Sequence, residues 1–87
     1  MMAARGLAKL IEECCELGQI AAKKQAFPDT DEHPDGKGSM KARLEDEIGD
    51  VAAAMFFVTH EFGLDADRIL QRSDEKLALF NKWHKED

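Results

Sequence analysis

Two short stretches of the chain hold residues that could do chemistry. Residues 12–16 read EECCE and residues 43–50 read RLEDEIGD. If both are helical, Glu13 and Glu16 share a face, and so do Glu47 and Asp50, because positions three apart are helix neighbours. Glu12 and Glu16, four apart, are neighbours as well. Like charges at these spacings repel by roughly 0.2–0.5 kcal/mol per pair on an exposed helix, and Lys9 is the closest cation at a relieving distance. Two such helices packed antiparallel would gather four carboxylates. That set suits a hard divalent ion, Mg²⁺ or Mn²⁺, which takes oxygen ligands and needs neither His nor Cys. A solvated acidic face is the competing reading, since either acidic pair alone is a common helical pattern. The metal reading gains from the pairing of two motifs, the second abutting a run that must be buried. A ferritin-like di-iron site needs Glu-x-x-His, and no Glu stands three residues before His33, His60 or His84.

The elements that must position these acids follow from periodicity. Leu7, Leu10, Ile11, Cys14, Gly18 and Ala21 keep helical spacing and predict a helix over about residues 3–25. Residues 27–39 hold both prolines, two glycines and four acids without periodicity, so they read as a loop, either a lid or a plain connection. Leu44, Ile48, Val51, Met55, Val58 and Phe62 make a narrow stripe that predicts a second helix over about 40–62. Gly63 suits its C-terminal cap, and Asp65 suits the N-cap of a third helix over about 66–84. Ala66, Ile69, Leu70, Ser73, Leu77 and Phe80 would form the third helix's packing face. The expected fold is all-α, an antiparallel bundle of about three long helices in one domain.

VAAAMFFV, residues 51–58, is apolar on every side, so a second surface has to cover it. Homo-oligomerisation is the expected answer, with Phe56 and Phe57 in the core. Gly49, Ala52, Ala53 and Ala54 would admit a closely packed helix.

Composition narrows the partners. The chain has 87 residues, 44% hydrophobic and 34% charged, which suits a small folded domain rather than a disordered one. Its 12 basic and 18 acidic residues give a net charge of −6, which argues against polymeric nucleic acid or an anionic membrane as partner. No stretch reads as a signal peptide or membrane span. Cys14 and Cys15 are adjacent, diverge on a helix and have no third cysteine to pair with, so reduced thiols in a cytoplasm are expected, one of them facing the core.

The order of these motifs resembles a known family. KLIEECCELGQ followed by RLEDEIGDVAAAM is similar to the EExxE and ExxD signature of the MazG-like all-α nucleoside triphosphate pyrophosphohydrolases, and EFGLDADRILQRSDEKLALFNKW is similar to that family's tail. The chain departs from the pattern in its 30-residue connection between Glu16 and Glu47, and in Asp74, which stands where many relatives have Asn before the tail lysine. The resemblance implies Mg²⁺- or Mn²⁺-dependent hydrolysis of (deoxy)nucleoside triphosphates to monophosphate and pyrophosphate, with a metal-activated water as nucleophile. It implies Glu13, Glu16, Glu47 and Asp50 as metal ligands. Glu12, with Glu16, would serve catalysis by binding a further ion or orienting the water. It also implies a homodimer or a dimer of dimers. Lys24, Arg43 and Lys76 are the cations to weigh for the phosphate tail, against the plain alternative of solvated surface charges. A reading from another class also fits the composition: a non-enzymatic helical dimerisation or regulatory module whose acidic face binds a basic partner.

Overall fold

In the computed structural model, which describes residues 6–86, three helices follow one another: α1 (Leu7–Ala26), α2 (Met40–Glu61) and α3 (Ala66–Glu86). No strand forms among the described residues, only an isolated antiparallel bridge between Glu32 and Ser39. The all-α class holds. The expected start of the first helix, residues 3–5, lies outside the described residues.

The helix ends are chemically explicit. Ser39 caps α2, its hydroxyl accepting the Ala42 N–H at 2.9 Å. At the other end Gly63, with φ +58°, sends its N–H to His60 O while Leu64 N–H reaches Thr59 O. That pair of bonds is a Schellman motif, which requires a left-handed residue and therefore favours glycine. Asp65 then accepts the Arg68 N–H at 3.1 Å and starts α3. Both punctuation marks sit where the sequence places them.

α1 and α2 run antiparallel: Gly6 approaches Phe57 and Val58, Glu13 lies near Asp50, and Glu16 shares a cavity wall with Glu47. The buried or half-buried residues of α1 are Leu10, Glu13, Glu16, Leu17, Ile20 and Lys24; those of α2 include Leu44, Glu47, Val51, Ala54 and Val58. Both sets follow alternating steps of three and four, the spacing of a helix–helix seam. Glu13 and Glu47 therefore occupy seam positions that an ordinary pair would fill with apolar side chains.

Several expected faces are corrected here. Leu7, Ile11, Cys14, Gly18 and Ala21 are exposed on α1, and both cysteines face outward. On α2, Val51 and Val58 are buried as expected, but Ile48, Met55 and Phe62 are exposed, as are Phe56 (76%) and Phe57 (44%). On α3, Ile69, Leu70, Leu77 and Phe80 are all exposed. The reason is arithmetic: the α1–α2 seam covers one face of each helix, while the sequence supplies two apolar faces on α2 and one on α3. α3 leaves the hairpin and packs against neither helix beyond slight contact, so among the described residues the three helices do not close into a bundle. The radius of gyration is 15.7 Å, against about 12 Å for a compact chain of this length. No helix among the described residues is long and apolar enough to cross a membrane.

Candidate metal centre and adjoining cavity

The seam acids form the centre of the site. Glu13, Glu47 and Asp50 each offer a carboxylate oxygen within 4.8 Å of the other two. Glu13 is buried, Glu47 half-buried and Asp50 exposed, so the trio opens from the seam toward solvent. The Oε2 atoms of Glu13 and Glu47 are buried without a hydrogen-bond partner. Burial, reinforced by the charges of Glu16 and Asp50, raises the pKa of both Glu13 and Glu47. Glu16 is half-buried beside the trio rather than within it.

Relief from within the chain is slight. Lys9 Nζ lies 3.7 Å from Glu13 Oε1 and 3.3 Å from Glu12 Oε2, and its pKa is raised, chiefly by the hydrogen bond to Glu12. Lys9 thus joins exposed Glu12 to Glu13 of the trio, and Glu12 adds to the negative charge that acts on Glu13. Two buried oxygens with no hydrogen-bond partner, on glutamates whose pKa burial and neighbouring acids raise, are a donor set that fits a hard divalent cation. Glu13, Glu47, Asp50 and the adjoining Glu16 are the residues that could hold one.

A cavity of about 470 Å³ opens beside these acids, lined by Glu16, Gln19, Ile20, Lys23, His33, Asp35, Arg43 and Glu47. The size falls in the range of small-molecule sites. Its wall is mostly polar and carries both signs of charge, the carboxylates of Glu16, Glu47 and Asp35 with the cations Lys23 and Arg43, so it suits a charged ligand. The loop supplies a side of the wall and is tied down to do so. Lys24 Nζ donates to the carbonyls of Pro28 and Thr30, His33 N–H to Gly38 O, Asp31 Oδ1 accepts the Lys41 N–H, and the Met40 N–H donates to Asp31 O.

Of the cations weighed from sequence, Arg43 reaches the cavity. Lys24 is spent on loop carbonyls. Lys76 is half-buried on α3 and does not line the cavity. Gln19 and Lys23 were legible in principle, standing three and seven residues after Glu16 on the same face of α1. His33 and Asp35 carry no such signal, because a non-periodic loop does not state which way its side chains turn.

No protein-family model, no curated protein and no solved structure matches this chain, so the geometry stands on its own residues.

Proposed function

We propose that the chain is a divalent-metal-dependent nucleotide pyrophosphohydrolase that cleaves nucleoside triphosphates, ribo or deoxy, to the monophosphate and pyrophosphate. One observation carries the reading: two buried, partnerless carboxylate oxygens at Glu13 and Glu47, with Glu16 and Asp50 beside them, border a polar cavity that also presents Arg43 and Lys23. A solvated acidic face would leave its carboxylates in water rather than in the seam between two helices. The motif resemblance to the MazG-like enzymes supports the same reading.

Glu13, Glu16, Glu47 and Asp50 would hold Mg²⁺ or Mn²⁺. When bound, such ions neutralise charge on a phosphate chain and lower the pKa of a coordinated water into the neutral range. The chain's own residues do the rest. Glu16, Arg43 and Lys23 all line the cavity; in this reading Glu16 accepts a proton from the attacking water, and Arg43 and Lys23 offset the negative charge that develops on the phosphates. Glu12, which Lys9 joins to Glu13, would bind a further ion or orient the water.

A homodimer or dimer of dimers belongs to the same proposal. Phe56, Met55 and Ile48 on α2 and Leu70, Leu77 and Phe80 on α3 leave more apolar surface exposed than a monomer ordinarily tolerates. A second copy supplies matching surfaces and would complete the bundle.

The test is product analysis by ³¹P NMR over a panel of NTPs and dNTPs with Mg²⁺ or Mn²⁺. Monophosphate and pyrophosphate are expected. Diphosphate and orthophosphate would show a different bond cleaved, and no turnover of any nucleotide would overturn the reading.

A further inference from the structure

Asp35 is the node of the loop that closes the cavity. Its Oδ1 accepts the Lys37 N–H at 2.8 Å and lies 2.9 Å from His33 Nδ1, and its Oδ2 accepts from Arg43 Nη2 at 2.9 Å. The Lys37 N–H above all, then the Arg43 guanidinium, hold the Asp35 carboxyl below its usual range, so it is a fixed anion. His33 is 7% exposed, although its loop neighbours Pro34, Asp35 and Gly36 are all exposed. A polar ring buried in such a segment has a specific orientation to keep.

That orientation is set by one nitrogen. His33 Nδ1 also accepts the Asp35 backbone N–H at 3.1 Å; in that tautomer the ring hydrogen is on Nε2, the donor that an anion needs. Nε2 is the nitrogen left for another partner, on a ring that lines the cavity together with Glu16 and Glu47. Arg43 is held in the same fashion. Its bonds to Asp35 Oδ2 and to Lys37 O both use Nη2, which leaves Nη1 and Nε for another acceptor.

We propose that His33 and Arg43 form an anion-recognising wall of the cavity, with Asp35 as the positioning residue that aims both side chains at a polyphosphate. Lys23 adds a second cation on the α1 side. That the polyphosphate belongs to a nucleoside triphosphate rests on the function proposed above; the wall itself rests on the loop geometry. The loop is in this reading a built part of the site and not a lid.

The experiment compares the native chain with His33→Gln, Asp35→Asn and Arg43→Ala in two measurements. One is steady-state kinetics with the best nucleotide, and the other is calorimetric titration with inorganic tripolyphosphate in Mg²⁺. Thermal unfolding is followed in parallel. His33→Gln and Asp35→Asn are expected to raise KM and the tripolyphosphate Kd about tenfold each, with kcat changed less than about twofold, since each loses a charge-assisted contact. Asp35→Glu is expected to recover part of the loss. Unchanged KM and Kd in both variants would overturn the wall. So would a fall in kcat and melting temperature with tripolyphosphate affinity intact, which is what a purely structural loop would give. If the native chain hydrolyses no nucleotide, the proposed function fails and the titration alone decides. Weaker tripolyphosphate binding in His33→Gln and Arg43→Ala upholds the wall, and equal binding, or none by the native chain, overturns it.

Discussion

Glu13 on α1 and Glu47 on α2 both stand in the seam between the helices, and each buries an Oε2 that has no hydrogen-bond partner. Helix seams gain stability from apolar contact, so two acids there weaken the pair unless a ligand repays the desolvation. Glu47→Gln removes a charge from the repelling set and adds a donor. The metal-free variant is therefore expected to melt above the native chain. Differential scanning fluorimetry in EDTA checks this; a lower melting temperature would mean that the carboxylate is satisfied in the native fold.

The raised pKa values fix the sign of the pH dependence. Folded Glu13 and Glu47 hold protons more tightly than the unfolded chain does. Their contribution is therefore fully present below the ordinary value of 4.5 and is lost as pH rises through the raised values. Asp35 works the other way: its contribution is present above 3.8 and lost as pH falls through its lowered pKa. Without divalent ions, the melting temperature is expected to rise as pH falls through the raised glutamate values toward 4.5, and to fall again at lower pH as Asp35 protonates. With Mn²⁺ the increment due to metal is expected to be largest at neutral pH and to vanish near about pH 4.5, because the ion requires deprotonated ligands. Thermal melts by circular dichroism across this range, with Mn²⁺ or EDTA, read both trends.

Gly6 and Gly63 both have positive φ, +91° and +58°, but only one is crowded. A Cβ at Gly6 would lie 2.7 Å from Phe57 Cδ1 and 2.9 Å from Cε1, whereas a Cβ at Gly63 meets nothing within 4 Å. Gly63→Ala is expected to lose about 1–2 kcal/mol, the cost of the left-handed backbone alone. Gly6→Ala is expected to lose more, because the Phe57 ring must also move. Urea denaturation of the two variants checks the order.

The apolar surface outside the seam gives a prediction on assembly. Phe56 is 76% exposed on α2, on a stretch that is apolar on all sides. Sedimentation equilibrium is expected to find the native chain as a dimer or tetramer, and Phe56→Asp is expected to shift it to monomer. A monomeric native chain would show that the exposed face has another use.

Helix identity and helix ends were legible in the sequence because they are local. Ser39, Gly63 and Asp65 act through bonds to residues at most five positions away. The acids of the site were legible for the same reason, since Glu13–Glu16 and Glu47–Asp50 are pairs within one turn. What stayed hidden was which apolar face packs on what. The expected stripe on α2 is cut along its length: Ile48, Met55 and Phe62 on one edge are exposed, and the buried line through Glu47, Val51 and Ala54 is centred about 70° away. Hydrophobicity alone favours a seam centred on the first, whereas the fold buries the second and brings Glu13 and Glu47 into it. The cavity wall from the loop was hidden for another reason: His33 and Asp35 are placed by turns and a salt bridge to Arg43, eight residues away, and not by a period.

The most direct test of the central claim is equilibrium binding of Mn²⁺ to the metal-free chain, followed by electron paramagnetic resonance of the free ion. The expected result is saturable, stoichiometric uptake by the native chain at neutral pH, weakened at least about tenfold in Glu13→Gln and in Glu47→Gln, since each variant removes one charged oxygen ligand. Uptake by the native chain no tighter than by the two variants would contradict the claim that these seam carboxylates are a metal centre.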